Sequence, residues 1–416
     1  MSKLLNNKSS MWICCQLGAR EHYAIPRSLN QSGQLVHLIT DAWLQSSYLL
    51  NGLPKPLLAN LRERFHADLA TASVHAFTSS LISFEITQKI KKSAGWENII
   101  ERNNWFQKRA TRALYKLTPQ LSQLNFRPTL FAYSYAALEV FRYAKSLGWR
   151  TILGQIDPGP LEEKLVMEEH IKHPFYQSNW QPAPSYYWDR WQQECLLADR
   201  IIVNSLWSSE AIQQVGIPKH KIDIISLAYQ PPEQSYNFQR IYPPVFSEHR
   251  PLRVLFLGQV ILRKGLAALL EAAELLKNQP IEFWLVGSQG ISTPQPSPEK
   301  VKWIGSVSRS TTAMYYQQAD IFLFPTLSDG FGLTQLEAQA WKLPIITSRF
   351  CGEVVTDQFN GLILSDVSGV AIAQALNFCL NNPRQLEAFA QRHIDITNFS
   401  LTKLQQQLQA LPYAII

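Results

Sequence analysis

Short apolar runs rich in β-branched and aromatic residues alternate with helix-like runs along most of the chain, and they do so in two blocks. That alternation marks α/β folds built on parallel sheets. In the first block, residues 12–16, 35–40, 128–133, 150–155, 200–204 and 221–226 read as strands. A turn at 17–20 leads into a helix ending near residue 30. The rhythm stops over 229–251, where Pro231, Pro232, Pro243, Pro244 and Pro251 leave little periodicity. It resumes with strands at 253–258, 282–286, 301–304, 321–324, 344–347 and 362–364. Helices at 266–277, 311–318 and 333–341 lie between them. The expectation is an α/β protein of two doubly wound domains facing each other across a cleft. The boundaries are a first domain over 1–232, a linker over 233–250 and a second domain over 251–397.

A chain of 416 residues with 46% hydrophobic content can bury two sizeable cores, which excludes general disorder. No apolar run approaches the roughly 20 residues of a membrane span. The stretch 11–15 is too short for a signal-peptide core, so a cytoplasmic chain is expected. Five cysteines, with Cys14 and Cys15 adjacent and no C-x-x-C, suit buried reduced thiols better than a disulfide framework or a zinc site. The formal charge of +7 is unevenly placed. Residues 1–250 hold 27 basic and 20 acidic residues, whereas 251–416 hold 12 of each. Within 89–116, Lys89, Lys91, Lys92, Arg102, Lys108, Arg109, Arg112 and Lys116 face only two acids, Glu97 and Glu101. Such localised charge points to an anionic surface or ligand.

The densest chemistry lies in Phe324-Pro-Thr-Leu-Ser-Asp-Gly-Phe-Gly-Leu-Thr-Gln-Leu-Glu-Ala338. A strand ends at Phe324, a loop carries Asp329, Gly330 and Gly332 flank Phe331, and a helix from Leu333 carries Glu337. Glycines admit a ligand close to the backbone, and a helix start offers unbonded N–H groups to an anion. Asp329 and Glu337, eight positions apart, bracket that loop, which suits a sugar–diphosphate–ribose ligand. An ordinary strand–helix turn with Glu337 on the surface is the plain alternative. A second segment, Leu257-Gly-Gln-Val-Ile-Leu-Arg-Lys-Gly265, places Arg263 and Lys264 beyond a strand. Ligands of open α/β sheets bind at the carboxyl ends of strands, where these cations can meet a diphosphate. Basic residues at a helix start oppose its dipole, which makes a purely solvated pair less comfortable.

These segments, with Ala198-Asp-Arg-Ile-Ile-Val-Asn-Ser205 and Cys351-Gly-Glu-Val-Val355, resemble glycosyltransferase family 4, the retaining GT-B enzymes. The likeness is dense over about 195–400 and thin before that. It implies that Asp329 binds donor-sugar hydroxyls, Glu337 the nucleotide ribose and Lys264 the donor diphosphate. Backbone groups of Gly330, Phe331, Gly332, Leu333 and Thr334 would cover the sugar and phosphates. It also implies that a helix within 398–416 crosses back to the first domain. Two positions depart from the pattern: the first acid is Asp329 rather than Glu, and Gln259 stands where the family often has Arg, so one diphosphate cation is missing unless Arg263 replaces it. In the first domain, Gly18 follows strand 12–16, where the family has a glycine loop near donor and acceptor; a simple tight turn is equally compatible. Asp157, in Gly154-Gln-Ile-Asp-Pro-Gly159, can accept hydrogen bonds from a sugar or form a turn before Pro158. His22 and His170 are further polar candidates.

There is no Asp-x-Asp motif and no His/Cys/carboxylate cluster of metal-ligand spacing, so neither metal nor cofactor is expected. The implied activity is transfer of a hexose-type sugar from a nucleotide-diphosphate sugar to a glycan or lipid-linked acceptor. The basic stretch mixes its cations with Trp96, Trp105, Phe106 and Leu114, which suits a peripheral helix on an anionic membrane. The alternative is a helical pair with its aromatics turned inward. Nucleic-acid binding has no motif to support it. The rival functions are a nucleotide-sugar epimerase of the same fold and a catalytically silent binding subunit.

Overall fold

The apolar runs form strands whose central members are buried on both faces, which is why those read as continuous rather than alternating patterns. In the computed structural model, residues 11–44, 61, 64–123, 126–176, 178–293, 297–392 and 394–412 are described. The first sheet has seven strands: β1 (Trp12–Gln16), β2 (Leu35–Thr40), β3 (Val74–Ala76), β4 (Thr129–Tyr133), β5 (Arg150–Gly154), β6 (Arg200–Val203) and β7 (Ile222–Ile224). Their order is β3-β2-β1-β4-β5-β6-β7, with every pairing parallel. The period-two geometry of β1 sends Cys14 and Cys15 into the cores under opposite faces of the sheet. All five cysteines are buried and unpaired. Strand β3 was not expected; three residues are too few to set up a periodic signal.

The second sheet has six strands: β8 (Leu252–Leu257), β9 (Ile281–Val286), β10 (Val301–Gly305), β11 (Ile321–Phe324), β12 (Ile345–Thr347) and β13 (Gly361–Ile363). Their order is β10-β9-β8-β11-β12-β13, again parallel. Each sheet therefore reverses winding once, between β1 and β4 and between β8 and β11. Those switch points open crevices at the strands' carboxyl ends, where a ligand can enter.

Two long connections shape the rest. Helices Thr78–Lys91 and Gly95–Leu121 form a pair beside the first sheet. Their aromatic residues pack inward: Trp105 stacks on Phe84 at 5.3 Å, Phe106 and Leu114 are fully buried, and Trp96 lies 4.9 Å from Tyr187. Of the residues expected at a lipid interface, Phe106 and Leu114 are thus core residues, while Trp96 and Trp105 are half-buried against protein neighbours. What the pair presents outward is Lys89, Lys91, Lys92, Lys108, Arg109, Arg112 and Lys116, with Ile86, Ile90 and Ile99. Among the described residues, no helix is long and apolar enough to cross a membrane.

Residues 233–250 lie against the second unit. The Arg240 guanidinium donates to the carbonyls of Tyr316 (2.7 Å), Trp341 (3.0 Å) and Lys342 (3.1 Å), closing the carboxyl ends of two helices. Helix Leu401–Gln409 packs on helix Ala24–Gln31, with Leu404 and Leu408 buried beside Leu29. Burial of each leucine contributes about 2 kcal/mol to that docking. Residues 413–416 of the expected 398–416 segment lie outside the described residues.

Candidate active site

The crevice at the β8/β11 switch point is built by two short loops and one helix start. The loop after β8 ends in a single turn, Leu262–Lys264, followed by Gly265 and helix Leu266–Leu275. The loop after β11 ends at Gly332, whose φ of +83° opens helix Leu333–Ala340. A Cβ there would come within 2.6 Å of the Phe324 ring, so both backbone and space require glycine. Arg263, Lys264, Asp329, Phe331, Gly332, Leu333 and Thr334 line one cavity of about 380 Å³. Gly258 and Gln259 form its floor beside them, and Arg20 and Glu21 close it from the first unit.

Charge in this cavity is paired. Lys264 Nζ donates to Asp329 Oδ2 and sits 5.0 Å over the Phe324 ring. Burial pulls the Lys264 pKa down to about 7, and the neighbouring Arg263 guanidinium adds to the fall. Glu162 opposes it, and contact with the Asp329 carboxylate also favours the ammonium form. Arg263 donates to the Ser328 carbonyl at 2.8 Å and meets Glu162 of the first unit at 3.4 Å. The first turn of helix Leu333–Ala340 adds N–H groups and the positive end of a dipole. Cations, a helix start and a carboxylate thus converge on one space that fits an anionic, hydroxyl-rich ligand.

The other expected residues are distributed around this centre. Glu337 lies one turn further along the helix and accepts from Tyr316 Oη at 2.7 Å, behind the cavity lining. Gly330 faces the other unit: a Cβ on it would sit 2.5 Å from the Ile156 carbonyl, so it permits domain approach. Gly18 donates its N–H to Asp41 Oδ1 at 3.1 Å and packs beside Arg64, away from the cavity lining. Asp157 is built into a turn. Its Oδ1 accepts from Tyr135 Oη (2.5 Å), Gly159 N (2.9 Å) and Gln155 Nε2 (3.2 Å). His170 stacks on Trp180, 4.9 Å between rings, while His22 belongs to the loop after β1.

Sequence reasoning passed over two residues of that loop. Arg20 and Glu21 reach the cavity because Glu21, His22 and Tyr23 all take left-handed backbone (φ 52°, 51° and 59°). Three successive non-glycine residues there store strain of the kind found at functional sites. Burial raises the Glu21 carboxyl to about 7, while the Tyr133 hydroxyl and the Arg20 guanidinium beside it pull the other way. The signal available in sequence was a charged pair directly after the first strand's glycine turn.

The two units are latched on one side of the cleft. Leu206 N donates to Glu353 Oε1 (2.9 Å), Trp207 Nε1 to Ser328 Oγ (3.0 Å) and Ser208 Oγ to the Gly330 carbonyl (3.2 Å). Among the described residues, no group of three His, Cys, Asp or Glu side chains is arranged to hold a metal ion.

Two Rossmann-like sheets facing across such a cleft define the GT-B fold, and solved structures share it over nearly the whole chain. Sucrose-phosphate synthase from Thermosynechococcus elongatus superposes with a TM-score of 0.61 at 16% identity, covering 96% of this chain and 98% of that one. HepE of Anabaena, solved with UDP-glucose, gives a TM-score of 0.57 at 13% identity with the same coverage. Residues 251–382 match the family model of glycosyl transferases group 1. The amylovoran biosynthesis glycosyltransferase AmsK of Erwinia amylovora is 25% identical over 202 residues, 44% of this chain and 47% of AmsK. The D-inositol 3-phosphate glycosyltransferase of Kineococcus radiotolerans is 26% identical over 241 residues, 48% of this chain and 53% of that enzyme. The chain spans about half the length of the curated relatives it matches.

Proposed function

We propose that this protein is a retaining glycosyltransferase. It moves a hexose-type sugar from a nucleotide-diphosphate sugar to a hydroxyl of a glycan or lipid-linked acceptor in the cytoplasm. The observation that carries this reading is the convergence of Lys264, Arg263 and the start of helix Leu333–Ala340 on one cavity beside Asp329. HepE, which shares the fold, was solved with UDP and with UDP-glucose, which favours a UDP-sugar as donor.

In this reading the donor diphosphate replaces Asp329 as the partner of Lys264. Asp329 then turns to the sugar hydroxyls, and Glu337 holds the ribose. Arg263 and the helix N–H groups share the phosphate charge, and neither metal ion nor organic cofactor takes part. The bond from C1 of the sugar to the phosphate oxygen breaks. The acceptor oxygen bonds C1 on the same face, and its proton passes to the departing phosphate. The exposed cations of the helix pair, with Ile86, Ile90 and Ile99, would hold the enzyme at an anionic membrane surface.

Thermal-shift measurements with UDP, GDP and ADP test the donor site. Stabilisation by UDP is expected; no stabilisation by any of the three removes the reading. Product analysis with radiolabelled UDP-sugars, wild type against Glu337→Gln, then separates transfer from epimerisation.

A further inference from the structure

A second cavity, of about 190 Å³, lies on the other side of Arg263, which lines both spaces. Its chemistry is unlike that of the diphosphate cleft. Five aromatic residues from distant parts of the first unit wall it: Trp96, Tyr135, Trp180, Tyr187 and Trp188. They brace one another. Tyr135 and Tyr187 stack at 4.9 Å, and Trp188 meets Tyr187 edge-on at 5.2 Å. Two indole N–H groups are already engaged, Trp96 with the Gln181 carbonyl and Trp188 with Glu163 Oε1, each at 2.8 Å. The wall is thus mainly aromatic carbon, with one face of Trp180 covered by His170 and two of the wall's indole donors already taken.

The polar groups at its edge are mainly acids. Asp157, Glu162 and Glu163 line the cavity against one guanidinium, Arg263. Burial lowers the His170 pKa, so the imidazole adds no charge at neutral pH. A phosphate or carboxylate would meet repulsion here, whereas the adjoining cleft offers Arg20, Arg263 and Lys264. An aromatic face is electron-rich and attracts the slightly positive C–H face of a pyranose, while edge carboxylates accept from its hydroxyls. The volume is of the size of one sugar ring.

We propose that this aromatic cavity is the subsite for a neutral saccharide ring of the acceptor, and that it rejects the same ring bearing a phosphate. The inference rests on the glycosyltransferase reading and names its acceptor class. Trp96 then belongs to the acceptor site as well as to the first turn of the basic helix pair, so it couples the two.

The test titrates the full chain with methyl glycosides of glucose, galactose, mannose and N-acetylglucosamine, and with glucose 6-phosphate, following tryptophan fluorescence. UDP binding is measured in parallel by calorimetry. At least one neutral glycoside is expected to saturate in the millimolar range, with glucose 6-phosphate at least tenfold weaker. Trp180→Ala should weaken that glycoside about tenfold and leave the UDP dissociation constant within twofold, which also certifies the fold. Trp188→Phe, which keeps a ring face, should retain most of the glycoside affinity. Equal or tighter binding of glucose 6-phosphate overturns the proposal. So does the absence of any glycoside response while UDP still binds, or displacement of the glycoside by farnesol. Glycoside binding without any UDP binding would keep the subsite and remove the transferase reading instead.

Discussion

The two units wind their central strands in the same order, yet their facing rims are made differently. The C-terminal rim comes from two short loops, each local in sequence: one over 258–265 carries Arg263 and Lys264, and the other runs from strand to helix within 324–338. The N-terminal rim is assembled from far-apart segments, with Trp96, Tyr135, Trp180 and Tyr187 brought together only by tertiary packing. One architecture thus carries a charged cavity built from two short loops beside an aromatic cavity assembled from dispersed segments. Substitutions on each rim should therefore affect different ligands.

The largest effect is expected at Lys264. Lys264→Ala removes the cation closest to Asp329 and should lower donor turnover about 10²–10³-fold, the range for loss of one preorganised charge-stabilising group. Calorimetry with UDP and turnover of a radiolabelled UDP-sugar read it; activity within threefold of wild type would break the assignment. On the N-terminal unit, Lys108→Gln with Arg109→Gln removes two exposed cations. At about 1 kcal/mol for each, partitioning onto phosphatidylserine vesicles should fall roughly 30-fold with UDP affinity unchanged. Unaltered sedimentation with vesicles would show that the charge serves another partner. Glu337→Gln is milder, about tenfold weaker UDP binding, because the amide keeps one acceptor oxygen.

Legibility follows the same division. The alternation of runs was enough for every strand but β3, because central strands buried on two faces must be apolar throughout. Asp329 and Lys264 were readable as partners of one ligand because each sits at a strand's carboxyl end. Their direct contact was not, since it joins positions 65 residues apart. The Arg263–Glu162 pair spans 101 positions and two units, so no local pattern encodes it. Trp96 and Trp105 were read against a membrane because cations surround them in sequence. Helical spacing alone does not say which neighbour covers a face, and here Tyr187 and Phe84 do. Asp157 illustrates a residue whose turn-forming bonds, to Gly159 and Gln155, and whose place in the cavity wall are not separable in the sequence.

The smallest effect concerns pH, and it sharpens the account of the C-terminal rim. Burial brings Lys264 to about 7 in the unliganded protein, while a bound diphosphate favours the ammonium. Binding above neutrality must then take up a proton, so affinity falls as pH rises, by at most tenfold per unit. The Asp329 contact already retains part of that charge, which reduces the expected slope to a few-fold between pH 7.5 and 9. Phosphate esters titrate near pH 6, so UDP itself is fully ionised across this window. Calorimetry in Hepes and in Tris, whose ionisation heats differ, reads the proton uptake directly. Lys264→Arg stays charged at every pH in the range and should flatten the dependence. A wild-type affinity that is flat from pH 7.5 to 9, with no buffer-dependent heat, would mean that Asp329 keeps Lys264 fully protonated. The diphosphate would then displace a permanent ion pair.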